Sequence, residues 1–353
     1  MRRRDFGAGL IGLGAATLAR PALAQGGDSR AQLIEGAKRE GSVSYFDTVL
    51  QPETNDELTA GFRKAYGLPS SFRVNYTLSN TGNLITRVEQ ELQAGRVTMD
   101  IASIASPTWV FEKVRDGHVM EYESPEYQHY GDVFAAGLGL PRHFAFNGAY
   151  LFAPMWNSET VNFTGRSWQD VPGFVQARRF SLGDASISAA YLATFMGLRR
   201  VVGDDWFRAV AQKRPNFLVR SEQIASRLVS NQDMMAIFGQ PTRALQNNAN
   251  GAKLKFVMPT EGVVLMPQCS FILKKAPHPN AAKLWIDYIL TPEAQAILAR
   301  REAMSSGRTG FQSPVTDYAP NMGSMKLIDL DWRALSTADM QKARADWQAI
   351  FAS

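Results

Sequence analysis

The sequence predicts an α/β protein whose parallel sheets are covered by helices on both faces. Three observations lead there. From about residue 30 onward, short apolar strand-like runs alternate with amphipathic helical stretches. Glycines and prolines punctuate that alternation where helices stop and start. The chain has 353 residues, 45% hydrophobic and 20% charged, enough for a sizeable core and without a low-complexity signature.

Taken in order, Leu33, Ile34 and Ala37 mark a helix that Gly41 ends, and residues 42–46 read as a strand. A helix follows through Leu58, Phe62 and Tyr66, then a strand at 72–76. The helix with Leu84, Ile85, Val88 and Leu92 has i, i+3, i+4 spacing. Residues 100–104 are the third strand and 108–114 the third helix. An apolar strand at 149–156 opens a second block. In it, strands at 179–182, 234–238 and 254–258 alternate with helices at 186–198, 204–212, 221–230 and 241–247. Apolar runs at 263–266 and 270–273 precede two well-marked helices. One begins Pro279-Asn280, and the other begins Thr291-Pro292-Glu293, with a threonine cap, proline at the first helical position and an acid in the first turn.

The first residues read as an export address. Arg2-Arg3-Arg4-Asp5-Phe6, a Gly/Ala/Leu run and Ala22-Leu23-Ala24 give a positive region, a short apolar core and a cleavage site over residues 1–24. Arg3-Arg4-Asp5-Phe6 is similar to the twin-arginine motif, so a soluble, periplasmic mature protein is expected. Gly7-Ala8-Gly9-Leu10-Ile11-Gly12 matches GxGxxG, but no strand precedes it, so it is not read as a dinucleotide site.

Composition excludes several functions. A single cysteine, Cys269, leaves no disulfide framework or Cys-built metal centre, and four scattered histidines show no HExxH spacing. No cofactor and no metal are expected. The formal charge of +5 lies largely in the leader, so nothing suggests a nucleic-acid partner. GxSxG and GxxxxGK[ST] are absent, which leaves an exported hydrolase as a distant alternative.

His278-Pro279-Asn280-Ala281-Ala282-Lys283-Leu284-Trp285-Ile286-Asp287-Tyr288-Ile289-Leu290-Thr291-Pro292-Glu293-Ala294-Gln295 resembles a signature of the class II periplasmic solute-binding proteins of ABC importers. That group includes ferric-ion, phosphonate, polyamine and thiamine binders. Gly41-Ser42-Val43-Ser44-Tyr45, Asn80-Thr81-Gly82-Asn83-Leu84 and Asp100-Ile101 are similar more weakly. The resemblance covers about residues 32–310. It implies a two-lobed fold: two parallel-sheet α/β lobes joined by two crossover strands, with the ligand trapped by hinge closure and passed to an inner-membrane ABC permease. On that reading lobe one is 26–148 plus 264–325, lobe two is 155–260, the hinge crossovers are 149–154 and 261–263, and 326–353 is a helical tail. A monomer is expected.

In open sheets, ligands bind beyond the carboxyl ends of the strands, where helix N-termini present free N–H groups. This selects the cradle Ser79, Asn80, Thr81, Gly82 and Asn83, and its counterpart Asp184, Ser186 and Ser188. Asp47, Thr48, Ser103 and Ser106 end the first and third strands. Gln240 and Arg243 open a helix after a second-block strand, where Arg243 can clamp a carboxylate or phosphonate. Tyr150, Trp109 and Trp156 are candidates for stacking on a ligand. Ferric-ion relatives carry adjacent tyrosines near 240, whereas this chain has Pro241-Thr242 there. The expected ligand is therefore a small organic anion, with ferric ion or polyamine as the alternatives. For a polyamine, Asp47, Glu53, Asp184 and Glu261 are candidate counter-charges.

Overall fold

The computed structural model describes residues 29–351; the leader expected at residues 1–24 lies outside them. The first part of the chain comprises α1 (Arg30–Glu40), β1 (Ser42–Asp47), α2 (Pro52–Tyr66), β2 (Arg73–Leu78), α3 (Thr81–Gln93), β3 (Ile101–Ile104), α4 (Pro107–Arg115), α5 (Gly131–Ala135) and β4 (Phe144–Leu151). The middle comprises β5 (Ala153–Asn157), α6 (Asp170–Phe174), β6 (Phe180–Gly183), α7 (Ala189–Gln212), β7 (Asn216–Leu218), α8 (Ser221–Val229), β8 (Met235–Gly239), α9 (Pro241–Ala249) and β9 (Leu254–Phe256). The last part holds β10 (Leu265–Ile272), α10 (Pro279–Ile289), α11 (Pro292–Glu302) and α12 (Thr337–Phe351).

The strands form two five-stranded sheets, ordered β2-β1-β3-β10-β4 and β7-β6-β8-β5-β9. In each, the first three strands are parallel. β10 in one sheet and β5 in the other run against them, and the edge strands β4 and β9, paired antiparallel to those two, run with the first three, so the sheets are mixed rather than wholly parallel. The reason is the route of the chain. It leaves sheet one along β4 and re-enters along the adjacent β10, while in sheet two β5 enters and the adjacent β9 leaves. Strands that carry the chain in and out side by side must oppose each other. The apolar run at 149–156 is thus not one strand: it holds the end of β4 and most of β5, with Phe152 between them.

Local chemistry explains the helix ends. Ser29 and Gln32 form a reciprocal capping box on α1, and Gly41 ends that helix at φ 70°. Pro52, Pro107, Pro241, Pro279 and Pro292 each occupy a first helical turn, where the missing N–H costs nothing. The helices expected at 186–198 and 204–212 are the two halves of α7, broken at Gly203, whose φ is 77°.

The signature stretch of α10 and α11 does packing work. Glu40 on α1 accepts the Asn280 side-chain amide at 2.6 Å and the Ala281 N–H at 2.8 Å, so it caps α10 from outside. A Cβ on Gly36 would collide with Asn280, which is why α1 can lie so close. Gln295, buried, donates to the carbonyls of Asn147 at 2.7 Å and Ile289 at 2.8 Å. Trp285 packs against Tyr45 and Phe62, both at 5.1 Å between ring centroids. Lobe two has its own aromatic core: Phe195 lies 4.8 Å from Phe207 and 5.1 Å from Trp347 of α12. The Arg199–Asp346 pair at 2.6 Å fastens α12 to α7, so the tail helix rides on lobe two.

The tail also passes the second crossover. Val263 pairs in parallel with Leu327, through Val263 N to Lys326 O at 3.0 Å and Ile328 N to Val263 O at 2.8 Å. Gly262 has φ 108°, and a Cβ there would press on the Lys326 backbone. Only glycine suits that turn.

Candidate ligand-binding cleft

The carboxyl ends of β1 and β3 in one lobe, and of β6 and β8 in the other, carry the candidate residues. Asp47 does not reach solvent. Its Oδ1 accepts the N–H groups of Val49 at 2.6 Å and Leu50 at 2.8 Å, and its Oδ2 accepts the Tyr45 hydroxyl at 2.7 Å. It therefore shapes the turn after β1. Ser103 is equally buried, and its hydroxyl bonds Ser270 at 2.8 Å. Gln268 of β10 ties the rim together, donating to Thr48 Oγ1 at 3.1 Å and to the Ser103 carbonyl at 2.9 Å. Thr48 is half-buried, as is Ser106, whose side chain makes no cap bond to α4.

The cradle of lobe one is open. Asn80, Gly82 and Asn83 are exposed, and Ser79 and Thr81 are half-buried. Asn80 caps α3 by accepting Asn83 N at 2.8 Å. The amides of Thr81 and Gly82 have no partner among the described residues. Its counterpart in lobe two is folded on itself. Asp184 Oδ1 accepts the Ser186 N–H at 2.9 Å and its hydroxyl at 2.6 Å, and Ser188 caps α7 by accepting Tyr191 N at 3.4 Å. Ile187 between them is 62% exposed.

Arg243, on the first turn of α9, is not a free cation. Its Nε donates to Ser221 at 2.9 Å, one Nη to Gln246 at 2.7 Å and the other to Glu222 at 2.6 Å. A guanidinium carries five donors, so two remain. Gln240 precedes it and is buried without a side-chain cap bond. Thr242 donates to the Glu302 carbonyl at 2.6 Å, joining α9 of lobe two to the end of α11 in lobe one. The Glu302 carboxylate accepts Gln51 N at 2.8 Å and Thr54 Oγ1 at 2.5 Å; burial holds its pKa above the usual range.

Sequence reasoning gave Tyr191 no role. A tyrosine in an apolar helix reads as core, and most of this one is core: it is 2% exposed, 4.6 Å from Phe152 and stacked on Phe238 at 6.1 Å. Trp109 and Trp156 are also engaged in packing, the first donating to Glu89 at 2.9 Å and the second 5.3 Å from Phe163.

Two side-chain groupings bear on the alternatives. Ser44, Asp100 and His278 cluster, but Asp100 Oδ2 accepts both Ser44 Oγ and His278 Nδ1 at 2.9 Å. A hydrolytic relay needs the serine on the other imidazole nitrogen. No group of three His, Cys, Asp or Glu side chains among the described residues could hold a metal ion.

The family model described as bacterial extracellular solute-binding protein matches residues 53–301. The chain belongs to that family, and it is the solute-binding component of an ABC transporter. A search of curated proteins finds no match. Among solved structures it is similar to the periplasmic binding protein AfuA from Actinobacillus pleuropneumoniae with exogenous fructose-6-phosphate bound (15% identity, TM-score 0.71, covering 88% of this chain and 98% of that one). It is similar to iron-bound HitA from Pseudomonas aeruginosa (14%, 0.66, 88% and 99%). It is also similar to the spermidine/putrescine substrate-binding protein PotD from Streptococcus pneumoniae (16%, 0.68, 88% and 98%). At these identities the likeness shows the fold alone: two lobes, each a mixed α/β sheet. Among the described residues no helix is long and apolar enough to cross a membrane.

Proposed function

We propose that the chain is the exported capture protein of its importer, binding a small organic anion, a carboxylate or phosphonate, between the lobes. It carries that solute unaltered to an inner-membrane permease and performs no chemistry on it. The observation that carries this reading is the pair of helix starts, α3 in one lobe and α7 in the other, each following a parallel strand of its own sheet. Both keep all their first-turn N–H groups, because neither begins with proline, and each presents roughly half a positive charge. Arg243 adds two free donors. Three of the four counter-charges named for a polyamine are engaged: Asp47 by its own turn, Asp184 by Ser186, and Glu261 by Ser167 and the Trp168 N–H; Glu53, exposed on the first turn of α2, stands apart from them. Contacts from both lobes are what bias such a hinge toward closure, since a solute held equally in both states shifts nothing.

A thermal-shift panel of citrate, phenylphosphonate, fructose 6-phosphate, spermidine and ferric nitrilotriacetate tests the class. An anion at 100 times its Kd stabilises the fold by about 2.7 kcal/mol; a response to spermidine or ferric ion alone overturns the reading. Arg243→Ala is expected to weaken anion binding about tenfold or more, because a charge-assisted hydrogen bond contributes about 1.5–3 kcal/mol, while far-UV circular dichroism stays unchanged.

A further inference from the structure

Tyr150 ends sheet one's β4 and Tyr191 opens lobe two's α7, with Phe152 of the first crossover wedged between them. Phe152 lies 5.8 Å from the Tyr150 ring, edge-on, and 4.6 Å from the Tyr191 ring. Neither tyrosine hydroxyl has a hydrogen-bond partner among the described residues, and neither oxygen is shut off from solvent, although Tyr191 as a whole is only 2% exposed. A phenol whose ring is packed and whose tip is left to solvent has a fixed direction and a free donor to offer. Packing does not require it: the neighbours Phe152 and Phe238 fill their places without one. Gly183 makes room for the Tyr191 ring, since a Cβ there would collide with it.

We propose that Tyr150 and Tyr191, one from each lobe, hold the solute by donating their hydroxyl hydrogens to its oxygens across the Phe152 crossover. This rests on the anion-capture reading above and adds to it Tyr191, together with a hydrogen-bonding role for Tyr150, which the sequence offered for stacking. The surrounding charges agree. Burial, then the Asp47 carboxylate, holds the Tyr150 phenol above its ordinary pKa. Burial, then Tyr150 and Glu222, does the same for Tyr191, with Arg243 opposing. Both groups therefore keep their protons at neutral pH and act as donors, which suits an anionic oxygen rather than a metal ion. The two tyrosines also link Asp47's side of the cleft to Arg243's, so a solute between them touches both lobes at once.

The test is calorimetric titration of wild type, Tyr150→Phe, Tyr191→Phe and the double variant with citrate and with phenylphosphonate, beside ligand-free melting curves. Each single variant is expected to bind about tenfold more weakly and the double variant about a hundredfold. Ligand-free Tm should stay level or rise, because the hydroxyls have no internal partner to lose. Affinities within twofold of wild type overturn the pair while leaving anion capture intact. A drop in ligand-free Tm accompanying the affinity loss assigns the hydroxyls to structure and also overturns it. Binding of neither probe by wild type removes the anion reading and this inference together.

Discussion

Asp233 in lobe two and Asp287 in lobe one are both buried, and the two lobes meet that cost with different chemistry. Arg227 clasps Asp233 through Nε at 2.7 Å and Nη2 at 2.9 Å. Asn216 donates to it at 2.7 Å, and Ser181 also donates. Among the described residues no cation bonds Asp287: the hydroxyls of Tyr122 at 2.9 Å and Ser124 at 2.6 Å reach it, and burial pushes its pKa up to about 6, with Glu126 adding to the rise and Arg30 opposing it. Lobe two meets its acid with a cation, whereas lobe one offers neutral hydroxyls and leaves the carboxyl easier to protonate as pH falls. Two sheets with the same pattern of parallel and antiparallel neighbours can thus differ in what destabilises them.

The largest expected effect breaks the lobe-two solution. Arg227→Met strands Asp233 without its cation and should cost about 3 kcal/mol or somewhat more in urea unfolding, since breaking a buried pair leaves an uncompensated charge. A loss under 1 kcal/mol would mean the neutral donors alone suffice. Next comes pH. Because the folded pKa of Asp287 lies above its unfolded value near 3.9, the native state holds more protons between about pH 4 and 6. Stability therefore falls as pH rises through that window and levels off above it, by up to about 3 kcal/mol from this group. Asp287→Asn should flatten that slope. An identical pH profile in the variant would show that the difference between the lobes lies elsewhere. Gly183→Ala is expected to cost about 2 kcal/mol by overpacking the Tyr191 ring, with exchange protection lost in lobe two first. Smallest are the caps of the two facing loops, Asn80→Ala and Ser188→Ala, at about 1 kcal/mol each.

Much of the framework was legible because local chemistry fixes it. Gly41 stops α1, the five prolines start their helices, and the spacing of Leu84, Val88 and Leu92 buries one face of α3. The crossover was not legible in the same way. A run of residues apolar on both sides looks like one buried strand whether it stays in one sheet or passes to another, so the division at Phe152 has no local mark. The three-residue β7 is too short to show a period. In the cleft, Asn80–Asn83 lie where a strand-to-helix loop must put them, because the following helix dictates the cap. Asp47 and Ser103 were read as rim groups by the same rule, yet their hydrogen bonds turn inward, toward Tyr45 and Ser270, which no spacing announces. Tyr191 was invisible for the opposite reason: its ring obeys the core pattern, and only the three-dimensional arrangement reveals a hydroxyl without a mate.

The chain's two end helices sit on different lobes, α1 against α10 and α12 against α7. A fluorescent donor on the first and an acceptor on the last would convert any change in the angle between the lobes into a change in energy transfer. The protein is in this sense already laid out as a two-label sensor, with the label positions set by its own architecture rather than by grafting.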